Sequence, residues 1–167
     1  INSLLIMLSI SCSVVFAGGV AIVDENKSEY LRLLENEIFV RVENQVAVVT
    51  SLHTFQNTTG NKVVIKYGFP LPESASATNL RYFINGSWRT ATISTEPQDT
   101  TLPGGGEGSQ PDIDLRNYLG DTPLYFEISD SLGVDSTLIV ELTYVQLLDY
   151  ELGEVQFSYP FNYELVQ

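Results

Sequence analysis

Apolar and polar side chains alternate with period two along most of this chain, and the 3.6-residue spacing of an amphipathic helix is almost absent. Tyr30–Leu34 leads into a first strand, where Ile38, Val40 and Val42 alternate with Phe39, Arg41 and Glu43 before Asn44-Gln45 turns the chain. Val46–Phe55 is β-branched and aromatic, as strands prefer. Val46, Val48, Thr50 and Leu52 share one of its faces, and Ala47, Val49, Ser51, His53 and Phe55 the other. Apolar residues on both faces at its start predict an end covered from both sides. Asn57-Thr58-Thr59-Gly60-Asn61 has hairpin-turn chemistry, with Gly60 or an Asn able to take positive φ. Val63–Phe69 is the expected return strand, and Pro70 and Pro72, which cannot donate to a ladder, end it.

Leu80, Tyr82 and Ile84 alternate with Arg81 and Phe83, and Asn85-Gly86 is the strongest short-range hairpin signal in the chain. Ser87–Ser94 returns. Glu96–Asp121 then breaks the pattern with three prolines, five glycines and few apolar residues, and reads as a long surface loop. Alternation resumes at Leu124, Phe126 and Ile128, turns over Ser129–Val134, and continues through Leu138, Val140, Leu142 and Tyr144. Gly153 marks a turn, and Val155, Phe157 and Tyr159 make a last strand that stops at Pro160. About eight short strands without a helix predict an all-β fold, an antiparallel β-sandwich with one long Pro/Gly-rich loop. Its two sheets would bury their apolar faces at a spacing of about 10 Å.

The N-terminus does not fit that pattern. Leu4–Ala17 is apolar and uncharged, shorter than the roughly 20 residues of a membrane span. Val15-Phe16-Ala17 before Gly18-Gly19 suits signal-peptidase cleavage after Ala17, in a leader whose basic start is missing. The organisation expected is a signal peptide over 1–17, a flexible lead-in over 18–29 and the β-sandwich domain over 30–167. The alternative is that Leu4–Ala17 is a buried element of the domain itself. The sole cysteine, Cys12, lies in that leader, so the expected mature chain has no disulfide and no thiolate chemistry. Location is expected to be periplasmic, cell-surface or extracellular.

Charge narrows the partners. The formal net charge is −13, with 8 basic against 21 acidic residues, which argues against nucleic acid and anionic membranes. From Asn117 onward there are nine acidic residues and no Lys or Arg, which reads as a solubilising acidic surface.

Candidate chemistry is sparse. His53 is the only histidine, so a catalytic triad or a typical zinc site lacks its partners, and it is expected on a sheet face or at the surface. Glu107, Asp112, Asp114 and Asp121 offer oxygen ligands for calcium, but without EF-hand spacing. Gly104–Gly108 lacks the Lys-Ser/Thr of a phosphate cradle. Asn26, Asn57 and Asn85 head N-glycosylation sequons. Tyr82, Trp88, Tyr118, Tyr125, Tyr150 and Tyr163 are candidates for an aromatic binding face, with core or edge packing as the alternative for each.

Around Phe55–Pro72 the chain resembles the VIT domain, the vault protein and inter-alpha-trypsin inhibitor heavy chain module. Ala47, Phe55, Asn57, Tyr67, Phe69, Pro70, Leu71 and Pro72 match the family pattern, and Phe126, Tyr144, Leu147 and Pro160 follow in the right order. The resemblance covers about Leu31 to Pro160. Where relatives carry a helical, charge-rich segment, this chain has the Glu96–Asp121 loop. The resemblance implies a non-catalytic module without cofactor or metal, whose signature residues are structural. It also implies a von Willebrand factor A-type domain following in the same chain, or another protein, as partner. A carbohydrate-binding β-sandwich is the rival reading.

Overall fold

The structure, a computed structural model, describes residues 4–10, 18–23, 29–91, 118–119 and 124–160. Its strands in chain order are β1 (Leu4–Ile10), β2 (Val20–Val23), β3 (Arg32–Glu43), β4 (Val46–Gln56), β5 (Val63–Phe69), β6 (Ala75–Ile84), β7 (Ser87–Thr90), β8 (Leu124–Leu132), β9 (Thr137–Leu147), β10 (Asp149–Glu151) and β11 (Glu154–Gln156). A six-stranded sheet, β1-β3-β4-β9-β6-β7, and a three-stranded sheet, β2-β5-β8, share one core, and β10-β11 form a separate ribbon. Neighbouring strands pair antiparallel throughout. The fold is the all-β, sandwich-like arrangement that the alternation predicts.

In β4 and β9 burial alternates residue by residue, because the small sheet covers only one face of the large one. The start of β4 was expected to be covered on both sides. Val46 is instead exposed and Val48 half-buried on the outer face, where no second layer lies among the described residues. Opposite the core, β2 is buried over its whole length, and Val20 and Ile22 pack with Leu119 in a second apolar cluster behind the small sheet. Part of the expected flexible lead-in is therefore a strand. A continuous apolar run between two layers shows no alternation, which hid it.

Two connections differ from expectation for one physical reason. The Asn57–Asn61 turn does not make a hairpin, since β4 pairs with β3 and β9, and β5 with β2 and β8. The chain crosses there from the large sheet to the small one, with Gly60 at φ +79°. The Phe69-Pro70-Leu71-Pro72 stop carries it back to β6, where the Ala75 amide donates to the Pro72 carbonyl at 2.8 Å. The reversal expected over Ser129–Val134 lies later, because β8 runs to Leu132 and the turn falls at Gly133–Ser136. Asn85-Gly86 does form a hairpin, with both residues at positive φ and Ile84 opposite Ser87. Leu4–Ile10, in the stretch expected as a leader, lies antiparallel along β3, with Leu4 opposite Val42 and Ile10 opposite Asn36.

Candidate functional site

The signature residues converge. Phe55 on β4, Tyr67 and Phe69 on β5, Phe126 on β8 and Tyr144 on β9 point into one buried cluster, with Ala47 in the same core. Ring centroids lie 5.4 Å apart for Tyr67–Phe126, 5.7 Å for Phe69–Tyr144 and 6.3 Å for Phe55–Tyr67, with inclined planes that suit aromatic quadrupoles. Pro70, Leu71, Pro72 and Pro160 are half-buried at the sandwich edge, and Leu71 packs against the core.

At the centre sits His53, on the inner face of β4 and fully buried. The sheet-face expectation holds in its inward form; the surface alternative does not. The Gly19 amide donates to its Nε2 at 3.1 Å, and its Nδ1 lies 3.1 Å from the Tyr67 hydroxyl. Accepting at Nε2 assigns the neutral tautomer with the proton on Nδ1, which then donates to Tyr67. The Tyr159 hydroxyl lies 3.4 Å from Nε2, and the Tyr118 hydroxyl donates to the Gly18 carbonyl. The imidazole thus bridges β4, β5 and the Gly18-Gly19 segment. Its lone pair is spent on a backbone amide, which leaves it a poor general base.

Tyr118 and Tyr82 were candidates for an exposed aromatic face. Tyr118 is half-buried under the Gly18 contact, and Tyr82 packs on Phe126 with centroids 5.9 Å apart. Sequence reasoning missed Gly18, Gly19 and Tyr159 as parts of this cluster. The one available signal was a Gly-Gly pair leading into four apolar residues.

Burial pushes the hydroxyls of Tyr67, Tyr118, Tyr144 and Tyr159 well above the ordinary tyrosine range, and neighbouring tyrosines add to the rise at Tyr67, Tyr118 and Tyr144. Contacts from Ser51 and Asn36 to Tyr159, and from the Gly18 carbonyl to Tyr118, temper it. These protons leave the unfolded chain near pH 10 but stay bound in the fold, so their contribution is intact below about pH 10 and declines as pH rises beyond it. Each tyrosine adds a slope of about 1.4 kcal/mol per pH unit. In an alkaline titration these four are expected to ionise only as the strand circular dichroism collapses. Tyrosinate absorbance from all nine tyrosines ahead of that collapse would contradict the burial.

Asn57 locks the sheet crossing and is fully buried. Its Nδ2 reaches the carbonyls of Asn61 (2.7 Å), Leu132 (3.2 Å) and Gly133 (3.0 Å), and its Oδ1 accepts from the Thr59 amide and hydroxyl. Its backbone bonds Ser136 and Asp135. One amide side chain therefore ties the β4–β5 crossing to the β8–β9 crossing.

On the outer face, Arg81 makes a two-pronged bond to Glu141 at 2.6 and 2.7 Å, and its guanidinium lies 4.5 Å from the Trp88 ring centroid. Trp88 is 46% exposed, with one face occupied by that cation. Tyr150 is exposed on the β10–β11 ribbon and Tyr125 half-buried behind the small sheet. Among the described residues, no three of His, Cys, Asp and Glu gather where they could hold a metal ion. The candidate calcium ligands Glu107, Asp112, Asp114 and Asp121 lie outside the described residues, as do Tyr163, Asn26 and most of the Glu96–Asp121 loop.

Neither a curated protein nor a solved structure matches the chain. Residues 33–100, which run from β3 past the β6–β7 hairpin and include the Tyr67–Pro72 stop, match the family model of the VIT domain, the vault protein inter-alpha-trypsin domain.

Proposed function

We propose that this chain is a non-catalytic structural and protein-interaction module of an exported multidomain protein, placed ahead of a von Willebrand factor A-type domain. The VIT match supports the module reading, since that family is not enzymatic. The observation that carries it furthest is the fate of His53: the one imidazole in the chain is fully buried and bonded to a backbone amide. Chemistry-bearing side chains along Phe55–Pro72 are used to hold two sheets together. The acidic balance favours a protein partner with basic or neutral character over polyanions. Export rests on the apolar Leu4–Ala17 stretch and the cleavage pattern before Gly18.

The rival, a carbohydrate-binding sandwich, draws on Trp88, but Arg81 stacked on that ring leaves only one face for a sugar. The test is a glycan array probed with the chain, read beside the coding sequence downstream of Gln167. No glycan is expected to bind, and the downstream sequence is expected to encode an A-type domain with an Asp-x-Ser-x-Ser motif. Tight binding of a defined glycan, or a glycoside hydrolase downstream, would overturn the proposal.

A further inference from the structure

In the structure the outer edge of β3 is occupied by β1, paired from Leu4–Val42 to Ile10–Asn36. If the leader is removed after Ala17, as the export reading has it, β1 leaves with it. The large sheet then ends at β3, a twelve-residue strand with an open row of amides and carbonyls. Such an edge is a template for another strand. The other end of that sheet is the four-residue β7, a much shorter template.

We propose that the processed chain forms a twofold dimer in which β3 pairs antiparallel with β3 of a second copy, Ile38 opposite Ile38. The inference rests on the export reading, and the sequence of β3 selects the register. Residues directly opposite in an antiparallel pair lie on the same face, so a one-residue slip would put buried Ile38 opposite exposed Phe39 and is excluded. Centring on Ile38 sets Arg41 against Glu35 of the second copy, twice by symmetry, on the exposed face. It sets Val40 against Asn36 on the buried face and brings the two Phe39 rings, each 37% exposed, diagonally together across the axis. Centring on Glu37 would oppose two glutamates at the axis. Centring on Phe39 would oppose Glu43 to Glu35. Of the registers centred on residues 36 to 40, which pair a long span of β3, only the Ile38 register pairs opposite charges without opposing like ones, and opposite pairs on one face stabilise a sheet. The paired span, 35 to 41, is seven residues, the length that β1 occupies. The sheet would then run continuously through both copies, five strands from each.

The test is secretion of the full chain from a bacterial host, with the intact mass of the recovered protein and light scattering on the same sample. A mass beginning at Gly18 with a doubled scattering mass is expected. Retention of residues 1–17 would sink the export reading and the inference with it; a mass beginning at Gly18 with a monomeric scattering mass at high concentration would sink the inference alone. Arg41→Glu is expected to return the processed chain to a monomer, and Glu35→Arg combined with Arg41→Glu to restore the dimer. Because the processed chain has no cysteine, Glu35→Cys mixed with Arg41→Cys should give a disulfide-linked pair of one chain of each kind. Neither variant should link to itself, and self-linking or failure to link would refute the register.

Discussion

Gly19→Ala is expected to destabilise the fold by about 3 kcal/mol or more, at the upper end of what overpacking a core costs. A β-carbon at Gly19 would sit 2.5 Å from Tyr67 Cζ and 2.6 Å from Cε2, with the hydroxyl closer still. Tyr67 is fully buried, its hydroxyl faces His53, and its ring packs on Phe126, so it cannot swing away. The methyl would push the Gly18–Val23 segment off the small sheet, and the Gly19 amide would leave the His53 acceptor that holds it. Urea unfolding followed by circular dichroism measures the loss. Gly86→Ala is the matched control: nothing lies within 4 Å of that position, and only its φ of +80° opposes a side chain, a cost of about 1 kcal/mol. A Gly19→Ala loss no larger than the Gly86→Ala loss would mean that the segment is not docked against Tyr67. Adding Tyr67→Phe should recover little, because the ring carbons themselves stand in the way.

Asn57→Asp is expected to cost about 3 kcal/mol, more than Asn57→Ala, although the side chain hardly changes shape. The amide nitrogen that now donates to three carbonyls would become a carboxylate oxygen facing all three. A buried charge without a counter-ion is strongly unfavourable, and the orphaned carbonyls each lose a partner. Asn57→Ala leaves those carbonyls unpaired but adds no charge. Thermal unfolding of both variants across pH 4 to 8 separates the effects, since protonation should relieve only the Asp variant at the acid end. Equal losses at neutral pH would show that water reaches the crossing and screens it.

Much of the architecture is legible in the alternation, because a strand with one face on the core must alternate. Where that condition fails, so does the reading. Residues Val20–Val23 are buried on both sides and carry no period-two signal. The Asn57–Asn61 turn chemistry says that the chain reverses, not whether the next strand rejoins the same sheet. Tyr82 was placed on a candidate binding face, yet its alternation with Leu80 and Ile84 already assigned it to the core. The burial of His53 depends on an amide 34 residues upstream, a contact no local pattern encodes. The Tyr-x-Phe-Pro-Leu-Pro stop was readable as a structural signature, and it marks the return from the small sheet to the large one.

The pairing of β4 with β9 places Gln56 opposite Thr137, neighbours in space about eighty residues apart in the chain. Between them the polypeptide must build the small sheet and come back. The contacts that β9 makes with β4 and β6 at the centre of the large sheet are therefore non-local, and loop closure has to precede their reward. Such topologies fold on the millisecond-to-second scale. The β3–β4 hairpin, closed at Asn44-Gln45, and the β6–β7 hairpin, closed by its own Asn-Gly turn, are the segments able to form first, with the central β4–β9 ladder closing late.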